Sequence, residues 1–89
     1  MSSPSPKPIR LSAHARGYIS RRGFTEAEVR EAIRKAPWKA TRDGRWEASH
    51  DFDYKDFWNG TYYPYKRVRP IFVELPTEIL VVTVYTYFL

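Results

Sequence analysis

Residues 79–88 read Ile-Leu-Val-Val-Thr-Val-Tyr-Thr-Tyr-Phe, and this stretch decides the fold that the sequence predicts. Branched and aromatic side chains dominate it, and these residue types are enriched in β-strands. The stretch is apolar on both faces through Val84, which is typical of a strand in the middle of a sheet. We therefore predict a central strand here, with the rest of the sheet formed by the residues before it.

The sequence between Pro37 and this strand predicts the other members of the sheet. Residues 38–42 and 45–52 alternate with period two on either side of Asp43-Gly44, a strong hairpin turn signal. Residues 53–59 are polar and aromatic, and we expect a loop that ends in an Asn59-Gly60 turn. Residues 62–75 again resemble a strand, although two prolines within it indicate a bulge or an edge position.

The first third of the chain predicts two helices. Ser12 is a suitable N-cap for a helix that runs to about Arg22, where Gly23 supplies a left-handed stop. Thr25 and Glu28 have the spacing of a capping box for a second helix that ends before Pro37. The second helix has an apolar face at spacings of three and four residues, formed by Val29, Ala32, Ile33 and Ala36.

These elements predict an α+β fold in which two N-terminal helices pack on a C-terminal antiparallel β-sheet. With 89 residues the chain has the size of one domain, which we place at residues 10–89 behind a disordered lead-in of residues 1–9. The chain has no cysteine, which excludes disulfides and cysteine zinc sites and fits a cytoplasmic protein. It has no apolar run of the roughly 18 residues that span a membrane, and its N-terminus lacks the apolar core of a secretory signal.

The distribution of charge indicates a polyanionic partner. The net charge is +5, and the first 22 residues contain five basic residues and no acidic one. Basic residues return at 66, 67 and 69, after a group of aspartates between 51 and 56. If both basic segments reach one face, that face attracts a nucleic acid. The alternative is ordinary solvated charge on a mildly basic domain.

The order of these motifs resembles one known family. The run His-Ala-x6-Arg-Gly-Phe-Thr-Glu-x-Glu-Val from His14 to Val29 is similar to the opening of the domain-of-unknown-function family 4258, and residues 79–85 are similar to its last strand. The resemblance covers nearly all of residues 11–88. It implies a RelE/barnase-like fold of the barnase, EndoU, colicin and RelE ribonuclease group, and the role of a toxin in a bacterial toxin–antitoxin pair.

The resemblance also implies site residues. The histidine of the family falls on His14, its Arg-Gly on Arg22-Gly23, its strand base near Arg69, and its closing Thr-x-Tyr on Thr83 and Tyr85. RNA cleavage without a metal needs a base for the 2′-hydroxyl, cations for the phosphorane charge and an acid for the leaving oxygen. Our hypothesis therefore has four catalytic residues, with an acid/base histidine, two phosphate-clamping arginines and an orienting tyrosine: His14, Arg22, Arg69 and Tyr85. Four further residues are expected to bind substrate: Arg21, Lys66, Arg67 and Thr83.

Each of these residues also has a structural explanation. The histidine could cap the core, Arg69 could be a surface residue, and Tyr85 could pack its ring while exposing its hydroxyl. A metal site at His50 and the aspartates that follow it is the weaker alternative, since the spacing lacks the central glycine of a calcium loop. We expect no metal and no cofactor.

Two functions follow as hypotheses. The first is a metal-independent endoribonuclease-like toxin that is neutralised by a small cognate antitoxin protein. The second is a non-catalytic module that binds RNA or a protein with a basic-aromatic face. The sequence carries no indication of the oligomeric state.

Overall fold

A computed structural model describes residues 7–89, of which 48% lie in strands and 22% in helices. The described elements, in chain order, are β1 (Ile9–Leu11), α1 (Ala13–Arg16), α2 (Ile19–Arg22), α3 (Glu26–Lys35), β2 (Lys39–Ala40), β3 (Trp46–Glu47), β4 (His50–Trp58), β5 (Thr61–Glu74) and β6 (Ile79–Phe88). No helix within residues 7–89 has the length and apolar character needed to cross a membrane.

All six strands join one mixed sheet in the order β1-β6-β5-β3-β2, and β4 also pairs with β5. The long strand β5 therefore has β6 along one edge, while β4 and β3 share its other edge. β1 runs parallel to the first three residues of β6, and the remaining pairs are antiparallel.

The predicted architecture of two helices on an antiparallel sheet is wrong in two respects. The residues before the first helix form β1, whose pairing of Ile9 with Ile79 and Leu11 with Val81 makes the sheet mixed. The helix expected over residues 12–22 is broken into two single turns around Gly17, a residue with low helix propensity. Strands therefore predominate over helices. Of the predicted lead-in at residues 1–9, residues 1–6 lie outside the described part of the chain, and Ile9 belongs to β1.

The expected loop at residues 53–59 is also wrong, because β4 continues to Trp58. A bulge between Asp53 and Asp56, with Lys55 at a φ of 51°, interrupts the alternation and explains why the sequence pattern suggested a loop. The turn at Asn59-Gly60 is confirmed, and both residues have the positive φ that such a tight hairpin requires.

The second predicted helix is confirmed as α3. The amide of Glu28 donates to Thr25 Oγ1 over 3.1 Å, and the amide of Thr25 donates to Glu28 Oε1 over 2.9 Å. This reciprocal capping box starts the helix where the sequence predicts it. Its buried side chains are Val29, Ala32 and Ile33, which pack toward the sheet.

The core lies between the helices and one face of the sheet. Val68 and Phe72 of β5 and Val84 of β6 are fully buried there, together with Phe24 from the corner between α2 and α3. We call the opposite face the outer face; its side chains are half-buried or exposed. The register places on it Arg67 opposite Tyr87, Arg69 opposite Tyr85, and Ile71 opposite Thr83.

A pair of glycine variants tests the packing at the α2–α3 corner. Gly23 has a φ of +70°, and an added Cβ would lie 2.7 Å from Trp58 Cζ3, whereas Gly44 has a φ of +79° with nothing within 4 Å. Gly44→Ala should lower the free energy of unfolding by about 1–2 kcal/mol, from backbone strain alone. Gly23→Ala should cost a further ~1–3 kcal/mol through overpacking against the indole.

Urea denaturation of both variants measures this difference. Equal losses for the two variants would contradict the close packing of Trp58 on Gly23.

Candidate functional site

Six side chains form a continuous row from the helical corner onto the outer face. In each pair of neighbours, either the centroids of two aromatic rings or a ring centroid and a guanidinium carbon lie within 6 Å of each other. We call this row the cation–aromatic ladder; it consists of His14, Tyr18, Arg22, Tyr85, Arg69 and Tyr87.

The helical half of the ladder follows from residue spacing. His14, Tyr18 and Arg22 are four residues apart, so the helical turns of α1 and α2 bring them to one side. The rings of His14 and Tyr18 meet edge to face, with centroids 4.9 Å apart. The guanidinium carbon of Arg22 lies 4.1 Å from the centroid of the Tyr18 ring. His14 is exposed, so it does not cap the core.

Arg22 joins the helical half of the ladder to the sheet. β1 pairs only as far as Val81, and beyond that residue the edge of β6 needs other hydrogen-bond donors. Arg22 Nη1 donates to the carbonyl of Val84 over 2.7 Å, while its guanidinium carbon lies 5.2 Å from the Tyr85 ring. One side chain therefore satisfies a strand-edge carbonyl and stacks between two tyrosines.

The sheet half of the ladder follows from strand register. Arg69 lies opposite Tyr85, with its guanidinium carbon 5.0 Å from that ring. Its Nη2 donates to the Tyr87 hydroxyl over 2.9 Å, and its Nη1 donates to Glu47 Oε1 over 3.2 Å. Two of its amino groups are therefore already engaged.

The two ends of the ladder differ in charge. Arg69 pairs with Glu47, and the neighbouring Arg67 pairs with Asp51 through two hydrogen bonds of 2.7 and 3.0 Å. Within residues 7–89, neither Arg21 nor Arg22 has a carboxylate within 4.0 Å. Positive charge that is not neutralised by a carboxylate is therefore concentrated at the helical end of the ladder, where an anion would bind most favourably.

The hydrogen bonds of Arg67 also shift the acid–base behaviour of its partner. The donation from the Arg67 side chain lowers the pKa of Asp51 below its ordinary value, and the positive charge adds to that effect. The same contact raises the pKa of Arg67. Asp51 is thus held as a carboxylate and is engaged by Arg67 rather than free to bind a metal.

The structure brings the four predicted catalytic residues into one row. Of the predicted substrate-binding residues, Arg21 lies beside the ladder, with its guanidinium carbon 5.8 Å from the Tyr18 ring, and Arg67 and Thr83 lie on the outer face. Lys66 lies on the opposite face of the sheet and is only 5% exposed. Its Nζ donates to the Gly23 carbonyl and pairs with Glu28, so it faces the core and not the ladder.

Two contacts within the candidate site are not predicted by the sequence. Tyr87 and Glu47 both bind Arg69, and Glu47 lies 22 residues away in sequence. Tyr87 could have been predicted as a member of the site, since its two-residue spacing from Tyr85 puts both tyrosines on one face of a strand. No sequence signal identifies Glu47, because its contact depends on the pairing of β3 with β5.

Among residues 7–89, no group of three or more His, Cys, Asp or Glu side chains has an arrangement suited to a metal ion. No family model, curated protein or solved structure matches the chain. The family resemblance therefore remains a prediction.

The role of Arg22 at the strand edge predicts a measurable loss of stability. Arg22→Met leaves the Val84 carbonyl without its donor, and we expect a loss of about 1–3 kcal/mol in the free energy of unfolding. Arg21→Met removes an exposed neighbour of the same charge and should change that free energy by less than about 0.5 kcal/mol. Equal effects in urea denaturation would show that the bond to β6 contributes nothing.

The lowered pKa of Asp51 predicts a pH dependence. A carboxyl whose pKa is lower in the folded state stabilises the fold above its unfolded pKa, and this contribution is lost as the pH falls through the folded pKa. Asp51→Asn should therefore lower the melting temperature slightly near neutral pH and make the acid-side decline shallower. Arg67→Met removes the donor to Asp51 and should make the decline shallower in the same way, and a decline as steep as in the native chain would contradict the assignment.

Proposed function

We propose that this protein is a metal-independent endoribonuclease-like toxin that binds RNA along the cation–aromatic ladder and cleaves it at the helical end. The observation that carries this proposal is the ladder itself, because it places Arg22, Tyr85 and Arg69 in consecutive contact and joins His14 to Arg22 through the Tyr18 ring. These residues are supplied by different parts of the chain, and only the fold makes them neighbours.

The composition of the ladder suits a single RNA strand. Aromatic rings stack unpaired bases, and guanidinium groups hold the phosphates between them. Tyr85 and Tyr87 are 40% and 41% exposed, so their rings are available to bases. Thr83 and Arg67 continue the same face on either side of these tyrosines and supply further polar contacts.

The electrostatics favour the helical end for the scissile phosphate. Arg22 uses one amino group for the Val84 carbonyl and keeps its other donors free for a ligand. Arg21 lies near the same Tyr18 ring that Arg22 contacts. A planar guanidinium fork matches two phosphate oxygens at once. Arg69 can bind an adjacent phosphate in place of Glu47, since half-exposed ion pairs contribute little to stability.

The chemistry follows from the one imidazole on the ladder. His14 takes the proton of the ribose 2′-hydroxyl, the 2′-oxygen forms a bond to phosphorus, and the bond from phosphorus to the 5′-oxygen breaks. The histidinium then returns its proton to the leaving 5′-oxygen. Arg22 stabilises the negative charge that develops on the phosphorane, Arg69 holds the adjacent phosphate, and Tyr85 orients Arg22 through its ring face.

We further propose a cytoplasmic location, where RNA is available, and a small antitoxin protein as partner. An acidic segment of that partner would neutralise Arg21 and Arg22 and cover the ladder.

A second function, the non-catalytic RNA- or protein-binding module, is favoured by one observation. Both outer-face arginines of β5 are already paired with carboxylates, so the arginine of the sheet half of the ladder and its neighbour have defined partners before any ligand binds. Such a surface binds through stacking without needing His14.

Incubation of the purified protein with total RNA and with tRNA, in the presence of EDTA, tests the proposal. We expect EDTA-resistant fragments, and we expect His14→Ala and Arg22→Ala to slow their formation by on the order of 100-fold or more. His50→Ala is the matched control, because His50 lies on β4 beside Glu31 and should leave the rate unchanged.

Fragments that disappear with EDTA would contradict the metal-free mechanism. Intact RNA that nonetheless binds the protein, with an affinity that falls on Arg22→Ala and on raising the salt concentration, would establish the binding module instead.

A further inference from the structure

The buried amine of Lys66 is the feature of the core that the ladder does not explain. Its side chain extends from β5 into the face of the sheet that the helices cover, and it is only 5% exposed. A buried ammonium group loses its hydration, and apolar side chains of similar volume often stabilise such positions as well or better. Its position therefore calls for a role other than general stability.

Both polar partners of this amine lie at the corner between α2 and α3. Nζ donates to the Gly23 carbonyl over 2.9 Å, lies 2.8 Å from Glu28 Oε2, and faces the Tyr54 ring at 5.2 Å from its centroid. Glu28 uses its other carboxylate oxygen in the capping box of α3. A single cation therefore binds the residue that ends α2 and the carboxylate that begins α3.

The corner needs an external anchor because α2 consists of a single turn. Four residues of helix have no stability of their own in water, since nucleation costs more than one turn of hydrogen bonds returns. Gly23 is held from a second side by the Trp58 ring, which stacks on Phe88 with centroids 4.7 Å apart. Arg22 precedes this anchored glycine directly, so the direction in which its side chain leaves the backbone is set there.

We propose that Lys66 is a positioning residue for Arg22. By binding the Gly23 carbonyl from the helix-covered face of the sheet, it fixes the guanidinium group of Arg22 between Tyr18 and Tyr85. The consequence for RNA cleavage rests on the proposed function. The alignment of Arg22 is a property of the protein alone and is measured without RNA.

The first measurement is the side-chain Nε–Hε signal of Arg22 in a ¹H–¹⁵N spectrum, assigned with Arg22→Lys. The Tyr18 ring lies 4.1 Å from the guanidinium carbon, so its ring current should shift the Hε resonance upfield. The double variant Lys66→Met/Glu28→Gln removes both charges together and leaves no buried ion unpaired. We expect it to keep a cooperative melting transition and to lose the upfield shift.

Two further variants make this result specific. Lys35→Met/Glu31→Gln removes an exposed lysine–glutamate pair from the same helix and should preserve the Arg22 signal. Glu28→Gln alone keeps the bond from Lys66 to Gly23 and should also preserve it. An unchanged Arg22 signal in the double variant, or its loss in Glu28→Gln, would overturn the proposal.

The second measurement is RNA cleavage by the same variants. The double variant should lower kcat by on the order of 100-fold with little change in KM, because a displaced guanidinium group is lost mainly from the transition state. Combining it with Arg22→Ala should cause no further loss, since both changes remove the same group. Full additivity of the two losses would contradict the positioning role.

The two proposals fail in different ways. If the native protein leaves RNA intact, the proposed function is wrong, and the Arg22 signal still decides whether Lys66 positions the arginine.

Discussion

The antiparallel pairing of β5 with β6 is the interaction on which the rest of the structure depends. It extends from Lys66 opposite Phe88 to Glu74 opposite Ile79, and it sorts every side chain of both strands to one of two faces. On one face, apolar residues close the core beneath the helices. On the other, arginines of β5 stand beside tyrosines of β6, and this row continues through Arg22 to the helices. The register of β5 against β6 thus determines both which side chains enter the core and which belong to the candidate site.

A single irregularity in that register places the tyrosines. Between Ile71 and Phe72 the pairing shifts, so that Thr83 and Val81 lie opposite consecutive residues of β5 and Val82 is the extra residue. A one-residue shift exchanges the two faces of a strand. Val81 and Val84 consequently both face the core, although they are three positions apart, and Tyr85 points outward beside Arg69. The same shift explains why Val84 faces the core together with Ile79 and Val81, whereas Leu80 lies on the outer face opposite Val73.

The features that the sequence predicts correctly are those encoded by neighbouring residues. The capping box of α3 needs only Thr25 and Glu28, and the Asn59-Gly60 turn needs only two residues that tolerate a positive φ. The features that it does not predict depend on distant partners. β1 has three residues, too few to show a pattern, and becomes a strand only by pairing with β6. Lys66 resembles a surface base until the fold brings Gly23, 43 residues away, to its amine.

The parallel pairing of β1 with β6 has a consequence for the order of events during synthesis. Ile9 pairs with Ile79, and Arg22 binds the carbonyl of Val84, so β1 and Arg22 gain their contacts with β6 only from residues about 60 to 70 positions later. Chains emerge from the ribosome N-terminus first, and contacts of such long sequence separation form last. A nascent chain that ends before residue 79 therefore carries His14, Tyr18 and Arg22 without Tyr85 and Tyr87, the members of the ladder that β6 supplies. The ladder is complete only when translation has delivered β6, which carries Tyr85 and Tyr87.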